Sequence, residues 1–259
     1  MAPRILALLQ ARTSSTRLPN KVLMPILGRP MLALQLERLK RCKIFTNLIV
    51  ATSNDPSDDA LADLCAREGV DCFRGSLGDV LDRFVHAARP FAPDIVVRLT
   101  GDCPLADPTL IDEIVARFVV SDLDYLSNCE PPSYPDGLDV EVIRFAALET
   151  AWREAVLPSH REHATPFIRR QPDRFRVGNH VSDLDRSGMR WTVDEAEDFE
   201  FVKQVYERLY PINKAFTTCD VLALQAAEPA LMQINARFQR NEGSKKSQVA
   251  DQQFLEKNP

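Results

Sequence analysis

Residues 1–120 alternate a short apolar run with an amphipathic segment four times. The runs are Ile5–Leu9, Leu48–Ala51, Val70–Phe73 and Ile95–Leu99. Unbroken apolar runs of this kind suit strands covered on both faces. The intervening segments carry helical spacing. Leu32, Leu36 and Leu39 fall at i, i+4 and i+7 after Gly28-Arg29-Pro30, with Arg38, Lys40, Arg41 and Lys43 mostly outside that stripe. Asp55 and Pro56 open a second helix as N-cap and first-turn residue, Leu61, Leu64 and Cys65 form its inner face, and Gly69 closes it. Val80, Leu81, Phe84, Val85 and Ala88 share one face of a third. Asp107-Pro108 opens a fourth, with Leu110, Ile111, Ile114, Val115 and Phe118 inward. Four strand–helix units in series predict an α/β fold on a doubly wound, mostly parallel sheet.

Beyond residue 120 the pattern is less regular. Asp124–Asn128 reads as a strand and Pro131–Gly137 as a loop. Leu138–Ile143 alternates apolar residues with Asp139 and Glu141, which predicts a strand on a sheet edge with one wet face. Helices are expected at about 145–156 and 160–170, and strands at Phe175–Val181 and Met189–Val193. Asp194 opens a helix with Phe199, Val202, Val205 and Leu209 inward, and a last helical region spans about 218–237. The expected organisation is one domain over residues 1–239, with a subdomain inserted at about 130–185. Residues 240–259 are almost entirely polar, the composition of a disordered tail or linker.

Composition narrows the function. The net charge of −5 points to neither nucleic acid nor an anionic membrane as a partner. No apolar run approaches the length of a membrane span. The start, Met-Ala-Pro-Arg and a short strand, lacks the features of a signal peptide. Six cysteines, at 42, 65, 72, 103, 129 and 219, show no metal-site spacing and read as thiols in a reducing cytosol. The expected location is cytoplasmic.

Charge gathers in the loop after the first strand, where Arg12, Arg17 and Lys21 stand among Thr13, Ser14, Ser15 and Thr16. The carboxyl edge of an open α/β sheet is where such folds bind ligands. Arginine offers a planar fork of donors and lysine a point charge, a set that suits a triphosphate. A solvated basic loop is the competing reading. Asp102 ends a buried strand in a Gly-Asp-Cys-Pro turn, where it either holds Mg²⁺ or caps its own backbone. Asp194 follows an expected strand and is either a second metal ligand or an N-cap. The glycine-rich Arg74–Asp79 segment lets a backbone approach a nucleotide or makes a plain tight turn. Two strand-end carboxylates with three cations describe a metal–triphosphate site fit for nucleotidyl transfer.

The spacing Arg12-x-x-Ser15-x-Arg17-Leu18-Pro19-x-Lys21 resembles the opening signature of the cytidylyltransferases that make CMP-sugars. The likeness is greatest to the SpsF-like, spore-coat polysaccharide branch. It extends over roughly residues 4–210, through five further blocks in order. These are Arg74-Gly75-Ser76-x-x-Asp79-Val80-Leu81-x-Arg83-Phe84, Leu99–Leu105, Tyr134-Pro135-x-Gly137-Leu138-Asp139-Val140-Glu141, Arg161-Glu162-His163-x-Thr165-Pro166 and Trp191-Thr192-Val193-Asp194-x-x-Glu197-Asp198-Phe199. The resemblance implies a Rossmann-like fold of the nucleotide-diphospho-sugar transferase type, its inserted region serving dimerisation and the sugar. It implies a homodimer in which a sugar hydroxyl attacks the α-phosphate of CTP and pyrophosphate leaves. Leu9, Gln10, Ala11, Arg12, Ser15, Arg17, Lys21, Arg74, Ser76 and Thr100 would hold the nucleotide. Arg12, Lys21 and Asp102 would serve catalysis, and Asp102 and Asp194 would hold Mg²⁺. Tyr134, Asp139, Glu141, Arg161 and His163 would meet the sugar, with Arg161 on the carboxylate of an acidic nonulosonate-type acceptor. One departure stands out: the octulosonate enzymes carry Gln where this chain has Thr100. Cytosine selectivity would then fall to backbone groups near Leu9–Ala11 and to Arg74 or Ser76.

Two other readings compete. A glycosyltransferase of related fold would use an Asp-x-Asp metal motif, and Asp122-Leu123-Asp124 and Asp183-Leu184-Asp185 fit those letters. A non-catalytic nucleotide-binding subunit of a glycan-synthesis complex would have no chemical need to keep Arg12, Lys21, Asp102 and Asp194 together.

Overall fold

The computed structural model describes residues 2–240 and 244–257, with the backbone alone for 244–249. Seven strands form one sheet. In chain order, strand β1 (Ile5–Gln10) leads to a small hairpin, β2 (Pro25–Ile26) and β3 (Arg29–Pro30), and then to helix α1 (Met31–Leu39). Next come β4 (Asn47–Ser53), α2 (Asp59–Glu68), β5 (Asp71–Gly75), α3 (Val80–Ala88), β6 (Ile95–Thr100) and α4 (Pro108–Val119). The second half contributes β7 (Tyr125–Ser127), β8 (Glu141–Arg144), α5 (Phe145–Glu154), α6 (Pro158–His163), α7 (Pro166–Arg169), β9 (Val177–Asn179), α8 (Ala196–Leu209), α9 (Thr218–Ala227) and α10 (Ser244–Lys257).

The sheet order is β5-β4-β1-β6-β8-β7-β9, and β8 alone runs against its neighbours. Side chains of β1 divide between two cores, as the period of two requires. Ile5, Ala7 and Leu9 pack with α1, α2, α4 and α8, whereas Leu6 and Leu8 pack with α3 and α5. The parallel register sets Gln10 of β1 opposite Thr100 of β6, so the carboxyl ends of both strands open on one edge.

The second half departs from expectation in identifiable ways. The strand expected on an edge at Leu138–Ile143 is β8, in the interior between β6 and β7. Its polar residue Glu141 is buried because polar groups surround it, as described below. The edge strand is β9, shorter than the predicted Phe175–Val181. Met189–Val193 is no strand. It makes one isolated bridge, Arg190 to Asp136, and its backbone bonds go to loops. Asp194 does not open α8: Glu195 is the N-cap and Asp198 completes the capping box. The helix expected at 160–170 splits into α6 and α7 at Ala164, whose φ is 64°. Segment 130–185, expected as an inserted subdomain, adds β8 and β9 to the main sheet. Residues 244–257 of the expected disordered tail form α10, which packs on α6; residues 241–243, 258 and 259 lie outside the described residues.

Candidate active site

The loop after β1 is shaped by a buried carboxylate. Asp58 accepts from the Thr13 backbone N–H (2.8 Å), the Thr13 hydroxyl (2.7 Å) and the Ser53 backbone N–H (3.1 Å), and also from the Ser53 hydroxyl. The carbonyl of Thr13 in turn accepts from the backbone N–H groups of Ser15 and Asn20. Asn20 adopts φ 59°, and a short 3₁₀ turn, Lys21–Leu23, follows. This folds the loop back and drives Lys21 inward. Its Nζ donates to the Val193 carbonyl (2.6 Å), to Asp194 Oδ1 (2.9 Å) and to Asp102 Oδ2 (3.3 Å). Burial alone would lower the Lys21 pKa. The charges of Asp102 and Asp194, with their hydrogen bonds, outweigh it and raise the pKa above the ordinary lysine value. Asp102 is likewise pushed up by burial and pulled further down by Lys21, so its carboxyl lies below the usual range. Arg17 joins the cluster through Asp194 Oδ1 (2.9 Å) and Glu195 Oε1 (3.4 Å).

Around this cluster open two clefts. One, of about 600 Å³, is lined by Gln10, Ala11, Arg12, Ser15, Arg17 and Lys21. The other, of about 540 Å³, is lined by Asp136, Asp139, Glu141, Arg169, Arg190 and Arg240. Arg17, Thr100, Asp102, His163 and Asp194 border both, so the two are lobes of one site. Gly101 is required where they meet: a Cβ there would lie 2.9 Å from that of Ala11. In the second lobe Glu141 is ion-paired with Arg98 and accepts from the hydroxyls of Tyr125 and Thr165, both at 2.6 Å. Asp136 is raised to about 6 by burial and by the neighbouring Asp139, against the pull of Arg240 and Arg190. Arg190 is clamped by fully buried Asp198 through two bonds of 2.8 Å, and Asp198 also accepts from the backbone N–H of Asp194 (3.0 Å).

A family model described as cytidylyltransferase matches residues 6–233. The chain belongs to the cytidylyltransferase family. It is 41% identical over 212 residues to an uncharacterized protein of Methanocaldococcus jannaschii, covering 81% of this chain and 86% of that one. It is 36% identical over 214 residues to the spore coat polysaccharide biosynthesis protein SpsF of Bacillus subtilis, covering 79% and 87%. The structure of a cytidylyltransferase from Leptospira borgpetersenii superposes with a TM-score of 0.85 at 33% identity, covering 89% of this chain and 97% of that chain. The chain is thus an enzyme of the nucleotidyl-transferring class, with the Rossmann-like sheet that class uses.

In this cytidylyltransferase the structure brings Gln10, Ala11, Arg12, Ser15, Arg17, Lys21, Thr100, Asp102, Asp139, Glu141, His163 and Asp194 to the two lobes. Asp194 is not a helix cap, and the Asp102 carboxylate accepts from Lys21 and, at 3.5 Å, from the Cys103 thiol. Five expected residues stand elsewhere. Leu9 is core. Arg74 spends its guanidinium on the carbonyls of Ser53 and Asp55 and on Asp59. Ser76 caps the turn before α3, accepting from the Asp79 N–H (3.1 Å). Tyr134 stacks on His180. Arg161 is paired with Asp79 and donates to the Trp152 carbonyl, so it faces no acceptor. Both Asp-x-Asp triplets also lie away from the site. Asp122 and Asp124 pair with Arg176 on the surface, and Asp185 caps Ser187. Sequence reasoning missed Asp58, Arg98, Arg190 and Arg240 altogether, because their partners are 5 to more than 100 positions away. An Arg74→Ala variant is expected to lose about 1–2 kcal/mol of stability, from two carbonyl bonds and a half-exposed ion pair. Its KM for CTP is expected to stay within twofold of wild type. A tenfold rise with an unchanged melting temperature would return Arg74 to the nucleotide site.

Proposed function

We propose that this enzyme transfers CMP from CTP to a hydroxyl of an acidic, nonulosonate-type sugar, releasing pyrophosphate in a Mg²⁺-dependent reaction that feeds surface polysaccharide or glycoconjugate synthesis. One observation carries this reading: a lysine ammonium is held between the carboxylates of Asp102 and Asp194, at the junction of a cation-lined lobe and a lobe lined by both carboxylates and arginines. Arg12, Ser15 and Arg17 bind the triphosphate, and Arg12 and Lys21 offset the charge that grows on the departing pyrophosphate. The chemistry asks for little more than alignment of the attacking oxygen.

Asp102 and Asp194 suit Mg²⁺. Both already sit within 3.3 Å of one cationic nitrogen. Among the described residues no group of three potential ligands is placed to hold an ion, and Mg²⁺ takes one or two carboxylates and fills its shell with phosphate and water. Bound there, the ion would neutralise phosphate charge. With Arg74 and Ser76 outside the site, we assign cytosine selectivity to the Gln10–Ala11 backbone and Thr100. Arg169 and Arg170, which line the second lobe, take over the carboxylate-binding role first expected of Arg161. A cytoplasmic homodimer completes the reading; no helix among the described residues is long and apolar enough to cross a membrane.

The test is pyrophosphate release from each of the four nucleoside triphosphates, with Mg²⁺ and with sialic, legionaminic, pseudaminic and octulosonic acids as acceptors. CTP-dependent release is expected, lost on chelation and in Asp102→Ala. Equal use of UTP or GTP would overturn the base assignment. Absence of nucleotide binding would overturn the whole reading.

A further inference from the structure

The acceptor lobe has a wall that the family match does not reach. Residues 234–240 and α10 lie beyond the matched span, yet Gln239 and Arg240 line that lobe. We propose that Arg240 is a positioning residue of the acceptor site, holding the Asp136 and Asp139 carboxylates as paired hydrogen-bond acceptors for vicinal hydroxyls of the sugar. The proposal deepens the sugar-transfer reading above and rests on it.

The geometry is specific. The Arg240 side chain is 13% exposed. One guanidinium nitrogen donates to the Tyr134 carbonyl (3.2 Å), a second pairs with Asp139, and Nε stands 3.9 Å from Asp136 Oδ1. A single side chain therefore grips the 134–139 loop at three points. The opposite side of that loop is fixed by Gly137, at φ 107°, where a Cβ would lie 2.5 Å from the Thr192 nitrogen. The loop is thus held between the 190–194 segment and Arg240.

The chain that carries Arg240 is itself anchored. Asn235 is buried and donates to the Arg190 carbonyl (3.0 Å) and to Asp198 Oδ1 (2.9 Å). The Gln239 carbonyl accepts from Arg190 (3.2 Å). Beyond Arg240, Asp251 of α10 accepts from the Ser159 backbone N–H (2.8 Å) and hydroxyl (2.5 Å) at the start of α6. Anchors on both sides make this a built arm of the site.

Charge explains why an arginine is needed. Three carboxylates, Asp136, Asp139 and Glu141, crowd one lobe. Glu141 has Arg98 and Asp136 has Arg190. Among the described residues, Asp139 has Arg240 as its one ion-pair partner. Without that cation Asp139 would face Glu141, Asp136 and Asp102 uncompensated. A carboxylate fixed by an arginine at one oxygen keeps lone pairs free for hydroxyl donors.

The experiment uses full-length enzyme and the acceptor that the pyrophosphate assay selects. Arg240→Gln is expected to raise the acceptor KM by about tenfold, the loss of one charge-assisted contact. The CTP KM is expected to stay within twofold, with Arg240→Lys restoring most of the acceptor affinity. An unchanged acceptor KM in Arg240→Gln, or acceptor and CTP KM rising together, would overturn the proposal while leaving sugar transfer intact. Wild-type enzyme that binds CTP but turns over no acceptor would overturn the sugar-transfer reading, and the role of Arg240 with it.

Discussion

Lys21→Met is expected to lower kcat by about 10²–10³-fold, the typical consequence of removing one preorganised charge-stabilising donor. The expectation follows from where the ammonium sits. Among the described residues it is the one group that touches Asp102, Asp194 and the Val193 carbonyl at once. Methionine keeps the apolar stem and the volume, so the loop retains its packing and the loss is electrostatic. Two carboxylates and a carbonyl would then face one another across the vacated position. The two carboxylates are 20–30% exposed, so solvent screens part of the repulsion, and the stability loss is about 1–3 kcal/mol. Mg²⁺ added to the variant is expected to recover part of the melting temperature without recovering the rate. Lys21→Arg is expected to rescue poorly, since a planar fork does not fit a site shaped around a point charge. The checks are steady-state pyrophosphate release, CTP binding and thermal melting. A kcat within tenfold of wild type would remove Lys21 from the chemistry.

How legible was this site in the sequence? The parallel half of the sheet was, because strands buried on both faces leave apolar runs that nothing else explains. The basic loop and Asp102 were, because they stand where those runs end, whereas Asp194 follows a segment, Met189–Val193, that forms no strand. Glu141 misled the strand assignment for a physical reason. Its alternation looks like a wet face, but Arg98, Tyr125 and Thr165 supply that wetness from inside the protein. Arg74 and Arg161 misled the site assignment because a guanidinium is equally at home on a phosphate or on backbone carbonyls. Only the fold shows that carbonyls and a carboxylate already claim both. Arg240 sits in a polar stretch with no periodic signal, and its partners are 101 and more residues earlier. Asp58 gave no signal either, since Asp55-Pro56-Ser57-Asp58 reads as an ordinary helix start.

Asp58→Ala is expected to cost roughly 3–5 kcal/mol, near the upper end for a single substitution. The side chain is fully buried and receives two backbone N–H groups and two hydroxyls, from Thr13 and Ser53. Alanine leaves the two N–H groups without an acceptor, at about 1–3 kcal/mol each, while the hydroxyls can turn to other partners. In a chain of this length that is a fall of about 10 °C in melting temperature. The effect reaches function through Thr13. With its tether to β4 gone, the loop that presents Arg12, Ser15 and Arg17 loosens, and the CTP KM is expected to rise about tenfold while the acceptor KM moves little. The same carboxylate gives a pH signature. Burial pushes its pKa up, but the hydrogen bonds from Ser53 and Thr13 prevail and hold it below the usual carboxylate range. Its stabilisation is therefore complete above the unfolded carboxyl pKa and is lost as pH falls through the lower folded value. Wild type should lose stability on that acid limb, and Asp58→Ala should show a shallower one. Equal acid limbs in the two proteins, measured by denaturant unfolding from pH 6 downward, would mean that Asp58 does not carry the loop's anchorage.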